Sequence, residues 1–99
     1  MTGWFDEQRG VELRPGYGND VNVCYSGLLS QSGADQVYLH CGFGDVRSWN
    51  NVQDQKMDRS VRGWEKNVSL QNNQMIFCFK DSASNWDNNC GHNWVFRAQ

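Results

Sequence analysis

The strongest constraint on this chain is the spacing of its apolar residues, which recur at every second position in short runs. "VNVCY" puts Val21, Val23 and Tyr25 on one side of an extended backbone. "VYLHCGF" puts Val37, Leu39, Cys41 and Phe43 on one side and Tyr38, His40 and Gly42 on the other. In "QMIFCFK", Met75, Phe77 and Phe79 share one side and Ile76 and Cys78 the other, the pattern of a central strand buried on both faces. Shorter alternations join Val11 to Leu13, Trp64 to Lys66 and Val68, and Trp94 to Phe96. An amphipathic helix repeats its apolar residues at intervals of three and four, and no stretch here does so at length. "RPGYGND", "SQSGADQ" and "QNN" are turn formers, and "GDVRSWNNVQDQ" reads as a long polar connection. About seven to nine short strands, with turn signals about every 8 to 12 residues, predict an all-β fold. The expected form is an antiparallel β-sandwich of immunoglobulin-like outline, with a closed barrel as the alternative.

Ninety-nine residues suffice for one domain with its own core. The formal net charge is -2, with both signs scattered along the chain. There is no basic stripe to track a phosphate backbone, so nucleic acid is not an expected partner. A membrane is not expected either, for there is no polybasic tract and no apolar run of spanning length. The N-terminus lacks a signal-peptide core, which suggests a cytoplasmic protein, or a secreted one if the chain is an excised domain. Cys24, Cys41, Cys78 and Cys90 contain no CxxC pair. No metal and no cofactor is expected, and four reduced thiols are favoured over a Cys41–Cys90 or Cys24–Cys78 bridge. The hydrolase and nucleotide-binding motifs G-x-S-x-G, HExxH and the P-loop are absent. Asp45, Asp54, Asp81 and Asp87 are the carboxylates from which a glycosidase pair would be drawn, but a small sandwich offers little cleft to hold one. No enzyme activity and no catalytic residue is expected.

The unusual residues are tryptophans, five in a hydrophilic chain. Trp94 and Trp64 stand in strand alternation and read as core. Trp4 either plugs one end of the sandwich or belongs to a partner surface. Trp49 and Trp86 sit among polar turn residues, in "RSWNN" and "SNWDNN", where exposure and folding back are both open. An exposed indole flanked by amides suits a pyranose, which has apolar C–H faces and a rim of hydroxyls. Covering one indole face and one sugar face removes about 100 Å² from water, worth about 2 to 3 kcal/mol before losses. His40 is either a half-exposed sheet histidine or a hydrogen-bonding group beside such a platform.

Three stretches, "VYLHCGFGDVRSWNN", "GWEKNVSL" and "FCFKDSASNWDNNCGHNW", resemble the family 25 carbohydrate-binding modules, the starch-binding domains, to which families 26 and 53 are related. The longest element is the closing F-x-D-x-x-x-x-W-D-N-N-x-G-x-N-W. The similarity runs from about residue 21 to 97, with residues 1–20 as an N-terminal strand and turn, so that 1–99 forms one module. The resemblance implies non-catalytic binding of α-1,4-glucan (starch, glycogen or maltooligosaccharides) on two stacking aromatics with a histidine and loop amides. Carried over, these are His40, Trp49 and Trp86, with polar contacts from Asp87, Asn88 or Asn89. An amylolytic or glycogen-metabolising enzyme is the implied protein partner. The alternative is a protein–protein interaction domain that uses the same aromatic surface without sugar. This chain departs from the pattern at Cys41, at Cys90 and in a first loop about one residue longer than usual.

Overall fold

The structure is a computed structural model that describes residues 3–71 and 73–97. It is nearly all β. One sheet holds β1 (Trp4–Asp6), β2 (Val11–Pro15), β3 (Asp20–Tyr25), β7 (Gly63–Ser69) and β6 (Asp58–Ser60), adjacent in that order. The second holds β10 (Trp94–Arg97), β8 (Gln74–Asp81), β4 (Val37–Asp45) and β5 (Ser48–Lys56), with the two-residue β9 (Trp86–Asp87) also paired to β8. Every pairing is antiparallel. The two sheets pack as a sandwich, and the expected alternation decides which residues lie between them. Val11, Leu13, Val21, Val23 and Tyr25 point inward from the first sheet. Leu39, Phe43, Met75, Phe77, Phe79 and Phe96 meet them from the second.

Three tryptophans belong to this interior. Trp64 and Trp94 are buried. Trp94 lies 6.0 Å from Phe77, ring to ring, and its indole N–H donates to Asp6 Oδ2 at 3.1 Å. Trp4 stacks on Phe77 at 6.3 Å and is half-buried against the core, so the N-terminal strand packs over the apolar interior.

Two elements differ from expectation. Most of the polar connection is strand, since β5 covers all of it from Ser48 onward. β5 is an edge strand bonded only to β4 and its residues are all exposed or half-buried, so it carries no apolar row, and edge strands favour charge. Part of "SQSGADQ" forms a single helical turn, α1 (Leu28–Gln31). Its Leu29 side chain is buried, and its Leu29 N–H donates to Tyr25 Oη at 3.0 Å. A tertiary acceptor stabilises a turn too short to stand alone.

All four cysteines are free thiols; Cys24, Cys41 and Cys78 are buried and Cys90 is exposed. Burial pushes the Cys41 and Cys78 thiols up to about 12. Aromatic disulfide reagent at pH 8 should therefore label one thiol rapidly, at Cys90, and the rest only after denaturation. Labelling of Cys41 or Cys78 in the folded protein at the Cys90 rate would contradict this packing.

Candidate carbohydrate-binding site

The outward face of the second sheet carries the other two tryptophans. Alternation along β4 turns Tyr38, His40 and Gly42 outward, and alternation along β8 turns Cys78 and Lys80 the same way. His40 stands near the middle of this face. Its imidazole lies 5.7 Å from the Trp49 ring, tilted by 46°, and 5.1 Å from the Trp86 ring, nearly perpendicular at 89°. His40, Trp49 and Trp86 thus come together from β4, β5 and β9. Trp86 is 46% exposed and Trp49 is half-buried.

Trp49 reaches this face through a β-bulge. Cys41 pairs with Gln53, but Phe43 pairs with Asn50, so Asn51 and Val52 together oppose Gly42. Asn51 has φ 51°, the left-handed region that Asn tolerates better than most residues. The extra residue shifts the phase of β5, which places Trp49 rather than Asn50 opposite Gly44. Gly42 then makes room for the indole: a Cβ there would lie 2.7 Å from Trp49 Cβ. The Trp49 indole N–H donates to the Val46 carbonyl at 3.0 Å, which fixes the ring over the sheet.

Trp86 is held by its neighbour. Asp87 is buried at 4% exposure and accepts a hydrogen bond from Tyr25 Oη at 2.5 Å. Burial first, and then the adjacent Asp87 carboxylate, push the Tyr25 phenol far above its ordinary range, so it stays a donor. Consecutive strand residues face opposite ways, so a buried Asp87 presents Trp86 to solvent. Asp87, expected to supply a sugar contact, thus has its carboxylate turned to the interior and bonded to Tyr25. Asn88 and Asn89 form hydrogen bonds within the loop. Asn88 Oδ1 accepts from the Gly91 N–H at 3.0 Å, and Asn89 Nδ2 donates to the Asn93 carbonyl at 3.0 Å. Asn89, Cys90, Gly91 and Asn93 all have positive φ, so much of the Asn and Gly in this stretch serves the tight loop.

Two residues that the sequence reading did not assign to the platform complete the face. Asp54 Oδ1 meets His40 Nδ1 at 2.5 Å, and Asp54 Oδ2 accepts from Lys80 Nζ at 2.8 Å. Burial works against ionisation of Asp54, but the hydrogen bonds from Lys80 and His40 outweigh it and hold the carboxyl below its ordinary value. The Lys80 ammonium is 5.3 Å from the Trp86 ring centroid and 5.9 Å from that of Tyr38. The alternation that turns Cys78 outward also turns Lys80 outward, so its direction was legible in the sequence, but its meeting with Trp86 depends on the β8–β9 pairing. The direction of Asp54 was not legible, because the register of β5 depends on the bulge. Among the described residues, no group of three or more His, Cys, Asp or Glu side chains is placed to hold a metal ion.

Substitutions of two supporting residues test this construction. Gly42→Ala should displace Trp49, changing its fluorescence and costing about 1 to 3 kcal/mol in urea unfolding. An unshifted emission spectrum and unaltered stability would refute the close approach. Tyr25→Phe leaves the buried Asp87 carboxylate and the Leu29 N–H without this hydroxyl, and should cost about 2 to 4 kcal/mol. A loss below about 0.5 kcal/mol would show that the bond does not hold the β9 segment.

A scan of family models matches residues 21–77 to a starch/carbohydrate-binding module (family 53). No curated protein and no solved structure matches. The match supports the starch-binding kind of module seen in the motifs, but points to family 53 and not specifically to family 25. It covers more than half of the chain, including His40 and Trp49, and ends before the closing motif with Trp86. The chain belongs to the family 53 starch/carbohydrate-binding modules.

Proposed function

We propose that this protein binds α-1,4-glucan without catalysis, on the outward face of its second sheet. The observation that carries this reading is the placement of His40 against two indoles, with Trp86 nearly half exposed to solvent. The rings are inclined to one another, which suits a ligand that curves, as an α-1,4-linked chain does. One stacked sugar contributes about 2 to 3 kcal/mol, which alone is weaker than millimolar binding. Two platforms on one oligosaccharide share the cost of association, so the affinity depends on both. His40 and the exposed Asn88 supply hydrogen bonds to sugar hydroxyls, with Asn88 Oδ1 and Asn89 Nδ2 each also bonded within the loop. Starch, glycogen and maltooligosaccharides share this chemistry. An amylolytic or glycogen-metabolising enzyme is the protein partner that such a module would bring to its polymer.

Affinity electrophoresis in gels containing starch, glycogen, cellulose or xylan tests the reading. The parent should be retarded only by the α-glucans. Trp49→Ala and Trp86→Ala should each lose most of the retardation while keeping the circular dichroism of the parent. If both variants migrate like a retarded parent, the platform is wrong. If the parent is not retarded, forms a dimer and shows no fluorescence change with maltoheptaose, the protein-interaction reading replaces this one.

A further inference from the structure

We propose that Asp54 is the positioning residue of this glucan site and that Lys80 is a further sugar-binding residue. The inference rests on the platform reading and deepens it. A single carboxylate gathers two cationic or proton-donating groups from separate strands. Asp54 on β5 is directly opposite His40 on β4 in the register, and Lys80 on β8 reaches across to the same carboxylate.

The chemistry fixes the direction of each bond. An ionised carboxylate only accepts hydrogen bonds, and Asp54 is held in that state by Lys80 and His40 against its partial burial. His40 Nδ1 must therefore carry the proton of its bond to Asp54. In the neutral ring this leaves Nε2 as an acceptor, on the opposite side of the imidazole from the carboxylate. Lys80 has three ammonium hydrogens and uses one on Asp54 Oδ2. The others lie beside the Trp86 indole, whose centroid is 5.3 Å away.

A pyranose stacked on Trp86 presents vicinal hydroxyls at its rim. One hydroxyl can donate to His40 Nε2 while its neighbour accepts from Lys80. The two protein groups differ in hydrogen-bonding sense, and one carboxylate holds them together. They suit a neutral vicinal diol that both donates and accepts.

An exposed ion pair that only adds stability does not account for the location of this one. It contacts both His40 and Trp86, and Lys80 also lies 5.9 Å from the Tyr38 ring.

Calorimetric titration with maltoheptaose, combined with long-range 1H–15N spectra of His40, tests the proposal. Asp54→Asn should weaken binding by about tenfold or more, because an amide replaces the charged acceptor. Its His40 spectrum should change from the Nδ1–H tautomer to a mixture. Asp54→Glu keeps two acceptors and should recover part of the loss. Lys80→Met, which keeps the apolar stem, should weaken binding about fivefold with the His40 tautomer retained. A binding parent with Asp54→Asn and Lys80→Met unimpaired overturns this proposal alone. So does an Asp54→Asn variant that binds weakly but keeps the parent tautomer. A parent that binds no α-glucan overturns the platform reading and this one together.

Discussion

A buried hydrogen bond between the two sheets governs much of the functional face. Tyr25 projects from β3 across the sandwich, stacks on Phe79 at 4.1 Å and donates its hydroxyl to Asp87. The same oxygen accepts the N–H of Leu29, so it also positions α1. β9 is only two residues long, and its ladder with β8 is too short to fix it firmly by backbone pairing alone. The Asp87 carboxylate adds the missing constraint. A charged group in the interior is stable only with a strong partner, and the Tyr25 hydroxyl supplies one. One inward bond thereby determines an outward indole.

The second tryptophan is placed by a different device. Trp49 belongs to an edge strand, where pairing on one side permits a bulge. Asn51 absorbs the extra residue and Gly42 leaves the space beneath the indole. The two tryptophans reach His40 through separate constraints, one in the core and one at a sheet edge. Between them, Asp54, Lys80 and His40 make the polar part of the same surface. The inner side of the sheet supplies stability, and the outer side is free to carry chemistry.

Much of this organisation was legible in the sequence. Period-two alternation identified the inward rows of β3, β4 and β8, and the neighbours of Trp64 and Trp94 identified both as core. The motif resemblance singled out His40, Trp49 and Trp86, and the fold brings each indole into ring contact with His40. The inward direction of Asp87 was not legible, because a polar loop residue reads as exposed. Its burial depends on a phenol 62 residues away in sequence. The strand β5 escaped notice because an edge strand can be polar on both faces, and α1 because its stability comes from Tyr25 rather than from helix propensity.

The sequence by itself determined the all-β class, the residues of the core and the kind of surface group, because those follow from side-chain polarity and a backbone period of two. Tertiary structure alone decided which polar residues face the platform. Asp87 turned inward to Tyr25, Asp54 came to His40 through the register beyond a bulge, and Lys80 met Trp86 through the short pairing of β8 with β9. Such placements depend on strand register and inter-sheet contacts between residues distant in the chain, and these are not encoded in any local pattern.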